Sequence, residues 1–171
     1  MTTAEFILAL VTAQRAGELV LSYRNTSRLM ARGAIEIAAS HYPLMVAVHA
    51  AWLIALWVFG HDAAPNEIAL LAYVALQGLR VWVMATLGER WTTRIIVLPN
   101  APLISAGPYR FLRHPNYVVV TAEIALLPLM LHLQTLALLF TLLNGLVLFI
   151  RIRAENRGLA ASRALSPKGA A

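Results

Sequence analysis

From His41 to Gly60 the chain carries no Lys, Arg, Asp or Glu over twenty residues. At 1.5 Å per residue such a helix reaches about 30 Å, the thickness of a bilayer's hydrocarbon core. Backbone polar groups have no water there, so the segment must satisfy them internally as a helix. One span of this kind dictates the rest. The other apolar runs must be helices packed beside it, and polar residues among them need partners. The composition agrees: 60% of the residues are hydrophobic and 13% charged, against about a quarter charged in soluble domains.

The same reasoning places the other helices. The first runs from about Ala4 to Ser22 and carries Gln14, Arg15 and Glu18. Arg15 and Glu18, three residues apart, can pair on one face. The N-terminus lacks a basic region and a clear cleavage site, so this is a retained helix and not a signal peptide. Tyr23 to Ser40 holds Arg24, Arg28 and Arg32 and is too polar to span; it is expected to lie along the interface as a short amphipathic helix. The span from His41 follows, with Trp52 and Trp57 expected toward its far end. Its His41 and His49 are two turns apart, which suits satisfied or interfacial histidines better than a metal pair. No metal site is expected, and with no Cys in the chain thiolate sites are excluded.

A third helix runs from about Glu67 to Leu87 and carries Gln77 and Arg80. Arg80 could snorkel to the surface or hold an anionic group in a cavity. Gly88 to Ala106 is a linker whose run Ile95-Ile96-Val97-Leu98 is a short strand or a surface-lying segment, suggesting part of a cap. The fourth helix, Asn116 to Leu131, contains Glu123, and Pro128 should kink it or loosen its last turn. After a turn at His132–Thr135, the fifth runs from Thr135 to Arg153 or a little beyond, so that the last two form a hairpin. On it Asn144, Arg151 and Glu155 share a face, and Arg151 and Glu155 are an i,i+4 pair. They form a solvated charge cluster or a ligand site.

The expected fold is an all-α integral membrane protein of about five transmembrane helices. One domain covers residues 1–160, its cofactor-binding and catalytic part residues 70–160, and residues 161–171 form a disordered tail. Twelve of the fourteen Lys and Arg lie within residues 24–32, 90–113 and 151–168. The turns at residues 61–66 and 132–135 have none. The positive-inside rule then puts the N-terminus outside and the C-terminus in the cytoplasm, in a bacterial inner membrane. The net charge of +6 reports this topology and not nucleic-acid binding.

Between linker and fourth helix lies Gly107-Pro108-Tyr109-Arg110-Phe111-Leu112-Arg113-His114-Pro115-Asn116-Tyr117. Its two prolines fix two φ angles and remove two donors, giving a rigid elbow at the membrane surface. Arg and Tyr there could simply anchor to headgroups. Their order, G-P-Y-R-x-x-R-H-P-x-Y before a membrane helix, resembles the signature of the isoprenylcysteine carboxyl methyltransferase family and of related phospholipid methyltransferases. The last helix is similar too, with Arg151 followed four residues later by Glu155, as is Arg80 before the linker. The likeness covers roughly residues 70 to 160.

What the resemblance implies is a methyltransferase using S-adenosyl-L-methionine. Its elbow residues would bind the cofactor, here Tyr109, His114, Pro115, Asn116 and Tyr117, with Pro102, Leu103 and Ile104 upstream and Glu155 on the last helix. Arg80 and Arg151 would be catalytic, facing the acceptor. Many relatives have a second Glu where this chain has Asn156. The N-terminal portion resembles a bacterial branch in which some members sit beside type III polyketide synthases and O-methylate alkylresorcinols or alkylpyrones. The expected substrate is therefore lipophilic, a long-chain phenolic lipid or a carboxylate, drawn from among membrane lipids. A phospholipid N-methyltransferase, a non-catalytic protein of the same fold and, more weakly, an NADPH-dependent sterol-reductase relative are the alternatives.

Overall fold

The structure, a computed structural model, describes residues 1–37, 39–99 and 101–165, with the side chains of His41 and residues 156–165 outside that description. Five helices make the body: α1 (Thr3–Ala31), α2 (Tyr42–Gly60), α3 (Glu67–Leu87), α4 (Pro115–Met130) and α5 (Gln134–Leu165). Strands β1 (Ile35–Glu36) and β2 (Ile96–Val97) pair antiparallel. This is an all-α membrane protein. Helices α2, α3 and α5 are each long and apolar enough to cross a bilayer. The sixteen residues of α4 reach only about 24 Å, and α4 is flanked by α3 and α5.

Large apolar side chains such as Ile54, Ile68, Leu71, Leu138, Leu142 and Leu146 face outward. In lipid this is no penalty, because tails are as apolar as Leu and helices associate by close packing and polar contacts. The packed core is Ala4, Leu8, Val11, Trp52, Leu56, Tyr73, Ile124, Leu127, Met130 and Phe140. These positions lie near the start of α1, α3 and α5 and the end of α2 and α4. They fill the half of the bundle nearest the turns at residues 61–66 and 131–133. That end is stitched by Asn66 N–H donating to the Met130 carbonyl and by Thr2 Oγ1 donating to the His61 carbonyl. Trp52, expected toward the far end of α2, is buried here and its Nε1 donates to the Ile124 carbonyl.

Two expectations are corrected. The first helix does not stop at Ser22, and Tyr23 to Ala31 does not lie separately on the interface; α1 continues unbroken to Ala31. No Pro or Gly interrupts it after Gly17, and two of its polar residues, Ser22 and Asn25, are used inward. Ser22 Oγ accepts from Thr93 N–H and Asn25 Nδ2 donates to the Trp91 carbonyl, both at 2.8 Å. Positions that read as a break instead dock the linker. The helix ends where Gly33 takes φ of +83°, a conformation with no Cβ penalty for glycine. The last helix also runs farther than expected, to Leu165. It takes in residues 161–165 of the expected tail, since nothing before Pro167 breaks the helical pattern. Residues 166–171 lie outside the described residues. The Ile95–Leu98 run, expected as a short strand or a surface-lying segment, supplies strand β2, with the Ile95 carbonyl accepting from Ile37 N–H.

Candidate functional site

The half of the bundle opposite the packed core encloses a cavity of about 270 Å³. All five helices and the linker wall it. Its sides are mostly apolar, including Leu19, Val46, Leu53, Val120 and Leu148. Its polar groups gather in two places. One is a buried charge cluster on α1, α3 and α4; the other is the junction of elbow, linker and α5.

In the first cluster Arg80, 4% exposed, donates from Nε to Glu18 Oε1 at 2.6 Å and from Nη2 to Glu18 Oε2. Its Nη1 donates to Glu123 Oε2. Arg15 pairs with Glu18 at 2.9 Å and with Glu123 at 3.0 Å. Gln77 Nε2 donates to Glu123 Oε1, and Gln14 Nε2 to Glu18 Oε1. Two guanidiniums and two carboxylates therefore balance. Removing charges from water costs several kcal/mol per ion, and close pairing is what repays it, although Arg15 Nε finds no hydrogen-bond partner. Arg80 does not snorkel. It is bound in a closed network and still leaves two of its five N–H groups without a protein acceptor in these contacts. Glu123, visible in sequence only as a lone carboxylate, is the fourth member of this network.

The second place begins at Gly107. Its φ of +54° opens the elbow, and a Cβ there would lie 2.5 Å from Thr86 Oγ1. Only glycine lets the elbow dock this closely on α3. A 3-10 turn (Gly107–Arg110) follows, with Pro108 buried. Pro115 opens α4 at its first position, where a missing N–H costs nothing. This start puts His114 and Tyr117 one turn apart, and their rings stack at 5.1 Å between centroids.

Tyr117 carries the geometry further. Its hydroxyl donates to Glu155 Oε2 and accepts from Arg151 Nε at 3.0 Å. The i,i+4 ion pair expected between Arg151 and Glu155 is absent among the described contacts; the Tyr117 hydroxyl stands between them, because Arg151 turns inward. It is 6% exposed, and its Nη1 donates to the Thr93 carbonyl at 2.8 Å and meets Met45 Sδ at 3.1 Å. Glu155 thus faces aromatic groups: His114 Nδ1 is 3.9 Å away, and Tyr109 feels its charge. Burial, reinforced by that carboxylate, pushes the Tyr109 hydroxyl up to about 12.

Of the residues singled out from sequence, Arg80, Arg151, Asn116 and Tyr117 line the cavity. Tyr109, His114 and Glu155 gather at its polar end, and Pro115 is the buried start of α4. Pro102, Leu103 and Ile104 are not on the cavity wall. Leu103 is 64% exposed, and the Pro102 carbonyl accepts from Arg90 Nη1. Asn144 is fully buried and donates to Thr121 Oγ1. The side chain of Asn156 lies outside the described residues. Thr93 and His49 are cavity residues that the sequence reading did not place there. The signal for His49 was its isolation, as the polar residue within an otherwise apolar stretch of α2.

Asn116 Oδ1 is buried, borders the cavity and has no hydrogen-bond partner. An unpaired buried acceptor costs about 1–3 kcal/mol, so a ligand donor placed there would relieve it. Glu155, ringed by aromatic side chains, suits an ammonium. The residues fit an aminoacyl nucleoside such as S-adenosyl-L-methionine.

The profile described as the isoprenylcysteine carboxyl methyltransferase (ICMT) family matches residues 68–161. An uncharacterized protein of Bacillus subtilis, YpbQ, is 34% identical over 158 residues, 90% of this chain and 94% of its own length. An uncharacterized protein of Haemophilus influenzae is 25% identical over 158 residues, 89% of this chain and 92% of its own length. No solved structure matches.

Proposed function

The chain belongs to the isoprenylcysteine carboxyl methyltransferase family of membrane methyltransferases, and from that premise we propose that it moves a methyl group from S-adenosyl-L-methionine to the hydroxyl of a long-chain phenolic lipid. The observation that carries the proposal is the apolar cavity ending on Asn116, Tyr117 and Arg151. Its apolar walls suit a lipid chain, and its polar end suits a cofactor. Within the protein Arg15 and Arg80 are already offset by Glu18 and Glu123, so the acceptor oxygen meets donors and not an unpaired buried charge from that cluster.

The cofactor supplies an electrophilic methyl group on a sulfonium. The protein aligns the partners and keeps water out, as in-line transfer demands. Glu155 takes the ammonium and Asn116 accepts a hydrogen bond from the nucleoside. Arg151 and the spare N–H groups of Arg80 orient the acceptor oxygen. Purified protein in detergent should methylate a long-chain resorcinol. It should leave a prenylated cysteine and phosphatidylethanolamine unmodified; methylation of either of these instead would overturn the acceptor assignment. Glu155→Gln should weaken binding of labelled S-adenosyl-L-methionine by about 1.5–3 kcal/mol, the contribution of a hydrogen bond to a charged group. Unchanged affinity in the folded variant would remove Glu155 from the cofactor site.

The proposed setting is a bacterial inner membrane with the elbow in the cytoplasm, where the cofactor is. The segregation of Lys and Arg to one end of the bundle supports it. Cysteines placed at Asp62 and Gln134 should react with an impermeant thiol reagent on intact cells, and those at Ser27 and Ser105 should not. The reverse pattern would invert the topology.

A further inference from the structure

We infer that His49 is the general base of the reaction: it receives the proton of the acceptor hydroxyl as the methyl group is transferred. The inference rests on the acceptor being a protic lipid head, as proposed above. It starts from an imidazole in the cavity wall, on α2, outside the residues that match the family profile.

The tautomer is decided by one contact. His49 Nδ1 lies 2.8 Å from the Met45 carbonyl. A carbonyl can only accept, so in the neutral ring Nδ1 carries the hydrogen and Nε2 is left with its lone pair. The contact also fixes the ring, as in catalytic histidines whose far nitrogen is held by a backbone carbonyl. No protein donor to Nε2 occurs among the described contacts. The chargeable groups that share the cavity wall are Arg15 and Glu18 from α1, Tyr42 from α2, Arg80 from α3, Tyr117 from α4 and Arg151 from α5. None of these is as good a base. The guanidiniums do not deprotonate, Glu18 already accepts from Arg80 and Gln14, and the Tyr117 hydroxyl is committed to Glu155 and Arg151.

The step balances. The acceptor O–H bond breaks, its proton goes to Nε2, and the electron pair stays on oxygen. That oxygen bonds the methyl carbon of the sulfonium donor, whose sulfur keeps the old bonding pair as a neutral thioether. A phenol has a pKa of about 10 and is almost wholly protonated at neutral pH. A base in hydrogen-bond reach contributes about 100-fold or more.

The test uses the full chain in detergent. In histidine labelled with nitrogen-15, the ligand-free protein should show His49 as the Nδ1–H tautomer, and adding a long-chain resorcinol alone should shift Nε2. An Nε2–H tautomer, or no shift on saturating resorcinol, overturns the inference. In turnover, His49→Ala should be about 100-fold slower at pH 7 with unchanged S-adenosyl-L-methionine affinity. Its rate should climb about tenfold per pH unit toward the wild-type rate, because solvent then supplies the phenolate, and free imidazole should restore part of it. Wild-type rates at pH 7, or a loss that pH and imidazole leave untouched, would remove His49 from proton transfer. If His49→Ala fails to fold, His49→Gln takes its place and the nitrogen-15 result still decides. A wild-type protein that binds resorcinol, shifts Nε2 and yet does not methylate it would sink the acceptor assignment and spare the histidine.

Discussion

Arg80→Met should unfold at a much lower temperature than wild type, having lost about 3–5 kcal/mol, the cost of removing one partner from a buried ion pair. Met nearly fills the space, so the loss is electrostatic. It leaves Glu18 and Glu123 with Arg15 as their only cation, and one buried negative charge uncompensated. Arg80→Lys should fall between the two. A single ammonium cannot reproduce a fork that gives two nitrogens to Glu18 and a third to Glu123, and Lys lacks that planar geometry. The sharper comparison is with Arg80→Met/Glu123→Leu. The double variant keeps the Arg15–Glu18 pair and restores neutrality, so it should be more stable than the single one. If both unfold alike, or Arg80→Met unfolds with wild type, the network does not hold the helices together.

Arg151→Lys should cost about 100-fold in methyl transfer while S-adenosyl-L-methionine binding changes only a few-fold. Arg151 joins α5 to the Tyr117 hydroxyl on α4, the Thr93 carbonyl in the linker and Met45 on α2. Lys offers one point charge and cannot reach Tyr117 and Thr93 together. Glu155 and the elbow remain, so the cofactor should still bind. Displacing the aligning groups by about 1 Å is enough for a loss of that size. Binding and turnover measured on one preparation decide it; full turnover would leave Arg151 a tie and nothing more.

Much of the bundle was legible because its signal is one-dimensional. The span from His41, the limits of α3 and the hairpin of α4 and α5 follow from apolar runs bounded by turns. The end of α1 was not legible. Arg24, Asn25 and Ser27 read as a surface stretch, yet they lie on a continuous helix, and Ser22 and Asn25 are polar because they grip the linker. Position along the chain does not reveal what a polar side chain meets in three dimensions. The site divides in the same way. The elbow and Glu155 were singled out by the resemblance to the family, whose signature is local in sequence, and the structure draws Tyr109, His114 and Tyr117 around that carboxylate. The union of Arg15, Glu18, Arg80 and Glu123 was hidden, because its members are contributed by three helices and only Arg15 and Glu18 are neighbours in sequence.

That four-charge union has a consequence for biogenesis. Helices leave the ribosome in chain order. The first to arrive carries Arg15 with Glu18, a pair that cancels at membrane depth; the second adds nothing between His41 and Gly60. The third brings Arg80, and the nascent bundle then holds one excess positive charge at membrane depth, where an unpaired ion is costly. Glu123 on the fourth cancels it. The shortest of the five helices is therefore the one whose arrival neutralises the buried cluster, and a bundle that lacks it keeps one uncompensated positive charge at membrane depth.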